Sequence, residues 1–562
     1  MVEGERASRS LALTMPPKMS VAGADRAEPL LAPAAVAARS APAPHSPSWE
    51  EMMLELESLD YDAVLNAASI QRMLDADSGH ERRQRSTVCV CIRPSKLRGL
   101  IKWLVTLAVG VTTGLTAFFV EAAIDQLTMY RLQFMQRFPI QPGSPPANVF
   151  FAFGLYAGIA LVLVSAATIA VIFFAPAAAG SGFTLVMAYL NGIHVPELLS
   201  LRTTVVKIVG TVFSVSSGLP VGPEAPLVHI GTGIASFFSR QHSLRLCGRN
   251  FQTHSRWLDD FHNDRDRRDF ISSGAAAGLA AAFGAPIGGV LFSLEEASSF
   301  WSQRVTWRSF FCAAIATFSL ALCHRNNGKL SSAGLLSLKG LSAEYYVWEL
   351  IPFALTGVAG GLLGVIFIAS YRKLLAYRPK GRLGRVAESC SVMLFVVSLQ
   401  FWLPFYVGNC KDKDSVMDDP DFGVGFNCAE GEYNDLATLF MFGRDETITA
   451  MLQMRNGSGA VRWHSRSSGA WFCLAPALVL TASCFAQPAT SSSFSVNTLV
   501  VFCVVNLVTM ILSFGICVPS GLFMPTIMTG AALGGLIGKL VEAFATKLQL
   551  ASSEDAMMIQ VR

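Results

Sequence analysis

The sequence predicts an all-α protein that crosses a membrane several times. Of its 562 residues, 52% are hydrophobic and only 15% are charged, whereas a soluble domain carries about a quarter charged residues. The mean hydropathy is +0.44, and ten apolar stretches punctuate the chain. Several are shorter than the roughly 20 residues a spanning helix needs, or are interrupted by Gly and Pro. Non-helical backbone survives at membrane depth only where protein buries it or where it lines a polar path. Short, broken helices therefore predict a transport pathway rather than a simple anchor.

Composition also excludes classes. A net charge of +4 over this length gives no reason to expect a nucleic-acid partner. The 12 cysteines are scattered, mostly within apolar stretches, with no C-x-x-C pair and no Cys/His metal spacing. Neither a metal centre nor a redox site is expected. No catalytic triad or P-loop is visible, so the chain is expected to be no enzyme and to use no cofactor.

Residues 1–50 are rich in Ala, Pro, Ser and Arg without a helical period and read as a disordered cytosolic tail. Within it, Glu28-Pro29-Leu30-Leu31 is either an acidic dileucine signal or a chance Leu pair. No apolar core of a signal peptide precedes the first span. Residues 51–100 read as a cytosolic segment whose basic run, Arg82 to Lys102, abuts the first apolar stretch at 103–120. That places the amino terminus in the cytoplasm. Further apolar stretches lie near 150–175, 204–219, 271–293, 308–323, 350–370, 387–407, 471–486, 497–513 and 521–545.

Arg372, Lys373, Arg378, Lys380, Arg382 and Arg385 mark a second cytoplasmic loop. One span later, residues 408–470 fall on the luminal or extracellular side, with Cys410, Cys428 and the sequon Asn456-Gly457-Ser458. That side permits a Cys410–Cys428 bridge and a glycan on Asn456, and the sequence leaves both open.

Four interruptions carry polar chemistry. Gly180-Ser181-Gly182 frees backbone N–H groups and one hydroxyl beside a helix start, which suits a dehydrated anion; close packing is the other reading. Gly218 to Pro226 sets Glu224 in a Gly/Pro-rich break at the start of an apolar helix. Its carboxylate either competes with an anion and leaves on protonation, or caps the helix. His229 reads as a satisfied interior or interfacial side chain rather than a ligand. Gly274 to Gly289 is built of small residues that permit close helix contact. It runs on to Glu295-Glu296, a pair for proton handling or a solvated helix end. Ser513 to Pro525 breaks a further helix, and a new one starts near Phe523, whose first amides lack intrahelical acceptors. Broken helices at corresponding positions of two halves mark inverted-repeat transporters.

In this order and spacing, the four stretches resemble the patterns GSGIP, GKEGP, the FxxEE helix and GxFxP of the chloride channel and chloride/proton antiporter (CLC) family. The similarity extends to Glu57-Ser58-Leu59-Asp60-Tyr61-Asp62, Tyr189-Leu190-Asn191-Gly192 and Arg265-Asp266-Arg267-Arg268-Asp269-Phe270. It also takes in Ser298-Ser299-Phe300-Trp301 and Glu432-Tyr433-Asn434-Asp435. It covers about residues 51–545 and looks most like the intracellular, endosomal/lysosomal branch. The resemblance implies a polytopic CLC-type inverted-repeat fold over residues 101–548, with chloride and protons as transported ions. Membrane lipid is the solvent, and a homodimer is expected of the full-length protein.

By the same resemblance, chloride would be bound by Ser181, Gly182, Leu522 and Phe523. Glu224 would be the gating glutamate, Glu296 with Glu295 beside it the inner proton acceptor, and Lys207 a buried supporting charge. The expected function is chloride/proton exchange in an endosomal, lysosomal or vacuolar-type membrane. A passive voltage-gated chloride channel is one alternative; a non-transporting paralogue or interaction subunit is another.

Three departures stand out. Phe183-Thr184-Leu185 occupies the place of Ile-Pro-Glu and removes a proline that would start the next helix. Pro223 stands where the family has Lys or Arg, and Ala225 where it has Gly, so the outer anion site is expected to lose a cation. The family continues well past the Phe523 helix. The second repeat is accordingly expected to be incomplete at Arg562, with no CBS domains and a tail at 549–562 that matches nothing.

Overall fold

The structure is a computed structural model that describes residues 57–58, 94–138, 140, 144–239, 243–246, 249–252, 264–324, 350–412, 423–429, 431–443, 447–448, 451 and 494–547. The expected tails at 1–50 and 549–562, the sequon at Asn456 and the apolar stretch at 471–486 lie outside the described residues.

Among the described residues there are 13 α-helices in chain order. They are α1 (Pro94–Gln136), α2 (Pro146–Phe174), α3 (Phe183–Leu190), α4 (Leu201–Ser216), α5 (Glu224–Ser239), α6 (Asp264–Phe283) and α7 (Pro286–Phe292). After a π-helical turn at Ser293–Ala297 follow α8 (Gln303–Cys323), α9 (Leu350–Tyr377), α10 (Arg382–Val407), α11 (Asp435–Met441), α12 (Val496–Ser513) and α13 (Phe523–Lys547). Seven are long and apolar enough to cross a membrane: α1, α2, α8, α9, α10, α12 and α13. On α9, Ile351, Leu355, Val358 and Leu362 lie bare on the outer surface, the apolar face expected of a helix set in hydrocarbon.

The remaining helices are too short to span or, like the 20-residue α6, too polar. The 16 residues of α4 and of α5 make about 24 Å of helix, less than the roughly 30 Å hydrocarbon core. The apolar stretch at 271–293 is divided by Gly284, whose φ of 63° lies in the left-handed region, into α6 and α7. Local chemistry sets the starts. The Ser200 side chain accepts from the Thr203 N–H at the head of α4, and the Asn434 side chain accepts from the Ala437 N–H at the head of α11. Pro146 and Pro286 open α2 and α7, where the missing N–H costs nothing.

The interior is held by close helix contact. A Cβ on Gly274 would lie 2.4 Å from the Gly231 carbonyl oxygen, and one on Gly278 2.3 Å from that of Leu227. Without a hydrophobic drive between helices in lipid, such contacts supply the attraction. Gly274→Val is expected to prise α5 from α6 at a cost of about 1–3 kcal/mol, read as a lower thermal midpoint of the purified protein. Gly357→Val, at a position with nothing within 4 Å, is expected to leave it in place.

Short strands clamp the periphery. β1 (Glu57–Ser58) pairs antiparallel with β2 (Ile193–His194), and β3 (Ser243–Leu246) with β4 (Arg249–Gln252). β5 (Cys410–Asp412) pairs with β6 (Glu432–Asn434). The Cys410–Cys428 bridge is formed, with a Cα–Cα separation of 5.7 Å. Beside it Asp435 is wholly buried and accepts from the N–H groups of Asn409 and Ser495 and the hydroxyls of Ser495 and Thr498. One carboxylate thus ties the head of α12 to the end of α10.

Candidate anion site

Three of the predicted interruptions meet. The Gly180 N–H donates to the Val518 carbonyl at 3.0 Å, and the Ser520 N–H donates back to the Gly180 carbonyl at 3.1 Å. Gly222 and Gly521 exchange both backbone bonds, at 2.9 and 3.0 Å. The turn before α3, the turn before α5 and the turn before α13 therefore form one junction, although up to about 340 residues separate them in sequence. The Ser214 hydroxyl adds a bond to the Pro519 carbonyl at 2.6 Å. Glycine is required at the contact, since a Cβ on Gly521 would lie 2.7 Å from the Gly222 oxygen.

Ser181 stands between Gly180 (φ 63°) and Gly182 (φ 72°). The left-handed Gly182 starts α3 with no side-chain cap. This resolves the missing proline: the helix begins at Phe183 all the same, because glycine turns the chain where a proline would otherwise have preset it. The first amides of α3 and of α13 have no acceptor within their own helices, and both helices begin at this junction. Leu522 and Phe523 open α13, and both remain partly exposed, as does Ser181. Among the described residues no protein group bonds the Ser181 hydroxyl.

Lys207 is fully buried on α4. Its Nζ donates to the Ala178 carbonyl at 3.0 Å and the Gly180 carbonyl at 2.7 Å. These two bonds tie α4 to the turn before α3. Glu224 begins α5 and is fully buried. Its carboxylate folds back over the Gly222 junction, to the point that a Cβ on Gly222 would lie 2.2 Å from Oε2. Glu295 and Glu296 are exposed on the π-helical turn. Both readings of this pair, proton handling and a solvated helix end, fit that exposure.

Ring contacts that no sequence signal gives complete the site. The Phe523 ring lies 5.8 Å from that of Phe283 and 6.3 Å from that of Phe292, and the Phe183 ring lies 5.0 Å from Phe292. The heads of α3 and α13 are thereby packed on Phe292 at the end of α7, just before the π-helical turn that carries Glu295 and Glu296. His229 is an interior residue as expected, but only half satisfied. Nε2 bonds the Leu198 carbonyl at 3.0 Å, while Nδ1 is buried with no partner among the described residues and lies 2.1 Å from where a Cβ on Gly182 would sit. Since Leu198 offers only an acceptor, Nε2 carries a proton, and Nδ1 is the ring nitrogen nearer the Ser181 turn.

Broken helices that meet at one junction are the arrangement expected of the inverted-repeat class of membrane proteins. A family model described as "Voltage gated chloride channel" matches residues 160–558, and the chain belongs to that family, the CLC family. It is similar to Chloride channel protein CLC-b of Arabidopsis thaliana, 32% identical over 511 residues, 87% of this chain and 58% of that protein. It is also similar to H(+)/Cl(-) exchange transporter 7 of Mus musculus, 31% identical over 501 residues, 87% of this chain and 55% of that protein. A crystal structure of a slow cyanobacterial Cl−/H+ antiporter has the same fold, with a TM-score of 0.54 at 19% identity over 81% of this chain and 83% of that one. The chain spans about half the length of the curated relatives it matches.

Proposed function

We propose that this protein carries chloride across a membrane in exchange for protons. The reading is supported above all by the paired backbone bonds that join Gly180 to Val518 and Ser520, and Gly222 to Gly521. On this reading the Ser181 hydroxyl and the amides at Gly182, Leu522 and Phe523 surround one place, with Glu224 at its edge. A dehydrated chloride needs donors of this kind, and an ionised carboxylate competes for them. Protonated Glu224 has no charge to hold it there and yields the place. Glu296, with Glu295, takes the proton at the exposed turn after α7, where a carboxylate escapes the desolvation cost that burial imposes. Exchange rather than passive conduction is favoured by this separation of one buried and one exposed carboxylate. No resident cofactor enters the proposal. It includes an internal membrane of the endosomal, lysosomal or vacuolar type, a cytoplasmic amino terminus and a homodimer.

The test is a chloride gradient imposed on sealed vesicles containing the purified chain, with a pH dye inside. Chloride movement that drives protons the opposite way supports exchange. Chloride movement with no proton movement assigns a passive channel, and movement of neither ion sinks the transport reading. In the same vesicles Glu296→Ala is expected to stop proton movement and keep chloride movement; persistent coupled acidification would remove Glu296 from the proton path.

A further inference from the structure

The turn from Ser217 to Pro226, which delivers Glu224 to the junction, contains no cation. A guanidinium stands behind it. Arg131, near the end of α1, is only 4% exposed, and its Nη1 donates to the Ser217 carbonyl. The guanidinium carbon lies 5.0 Å from the centre of the Tyr156 ring on α2, and a Cβ on Gly218 would lie 2.2 Å from Nη1. Among the described residues no carboxylate pairs with Arg131. On the next residue of the turn, the Gln400 side-chain amide of α10 donates to the Gly218 carbonyl at 2.8 Å. Consecutive carbonyls are thus drawn off toward α1 and α10, and Gly218 takes a φ of 95° between them.

Burying a cation without a carboxylate partner costs several kcal/mol. In a low-dielectric wall its field is little screened and reaches an anion path well beyond contact distance. We infer that Arg131 is a positioning residue for the Glu224 turn and sets the positive potential through which a monovalent anion approaches the junction. The inference rests on the transport reading above and extends it to a residue that touches neither ion.

The experiment measures chloride flux against chloride concentration in vesicles holding the wild-type chain, R131Q, R131K and the double variant R131Q/P223K. Pro223 lies on the same turn, so a lysine there restores a charge without restoring the bond to Ser217. R131Q is expected to raise the half-saturating chloride concentration on the order of tenfold, equivalent to about 1.4 kcal/mol, with a smaller change in maximal flux. R131K and R131Q/P223K are expected to recover most of that affinity. An unchanged half-saturation in R131Q overturns the inference. So does a double variant that stays weak while R131K recovers, since the role would then be purely structural. If R131Q yields no folded protein, R131K decides: half-saturation within about threefold of wild type supports a charge role, and a loss on the order of tenfold refutes it. A wild-type chain that moves no chloride at all fails the transport reading instead, and is recognised before any variant is compared.

Discussion

Glu224→Ala is expected to uncouple the two ions: chloride flux persists in vesicles, while chloride-driven proton movement falls to the leak of protein-free controls. The wild-type side chain is fully buried and lies back on Gly222, whose backbone is bonded to Gly521. A carboxylate held there has two states with opposite consequences. On the proposed exchange reading, the ionised carboxylate competes with chloride for the place, and the protonated one loses its charge and yields it. Alanine has neither state, so the junction stands open at every pH and nothing at that position carries a proton. The pH dependence of chloride flux should flatten along with the coupling. A variant that retains the wild-type pH profile and continues to move protons would dismiss Glu224 as the gate.

The second large effect is on folding. Gly182→Ala meets two independent penalties. A non-glycine residue at φ 72° costs roughly 1–2 kcal/mol, and the new methyl would lie 2.1 Å from His229 Nδ1, 2.9 Å from Cγ and 3.1 Å from Cε1. The ring cannot swing aside cheaply, because Nε2 is held by the Leu198 carbonyl and the residue is fully buried. Overpacking of this kind costs about 1–3 kcal/mol more. Together the two approach the lower end of the total stability of a folded domain, about 5 kcal/mol. The expected result is a sharp fall in monodisperse yield and thermal midpoint. Adding His229→Ala should return the packing part and leave the backbone part, so that the double variant melts above Gly182→Ala alone. A single variant that melts with the wild type would show that the Ser181 turn tolerates a side chain at position 182.

Much of this protein was legible along the chain because its information is local. Low charge and apolar runs require a membrane. Glycine and proline at 180–182, 218–226, 284–286 and 519–525 require breaks, and the order of those breaks resembles one family. The helix starts at Glu224 and Phe523 lie where the motifs predict them. The start of α3 survived the loss of its proline, because a left-handed glycine does the same steric work.

What no local pattern contains is partnership across the chain. That Gly180 bonds Val518 and Ser520, that Gly222 bonds Gly521, and that Lys207 spends its protons on two carbonyls all depend on residues brought together only when the helices pack. Arg131 and His229 are the clearest cases. Along the sequence, one is a charge near the end of a long helix and the other a histidine on an apolar one; folded, each is buried against a turn of the junction. Side-chain chemistry and backbone propensity act within a few residues and so are written in order, whereas a hydrogen bond or a close approach between distant segments exists only once three-dimensional packing has chosen the neighbours.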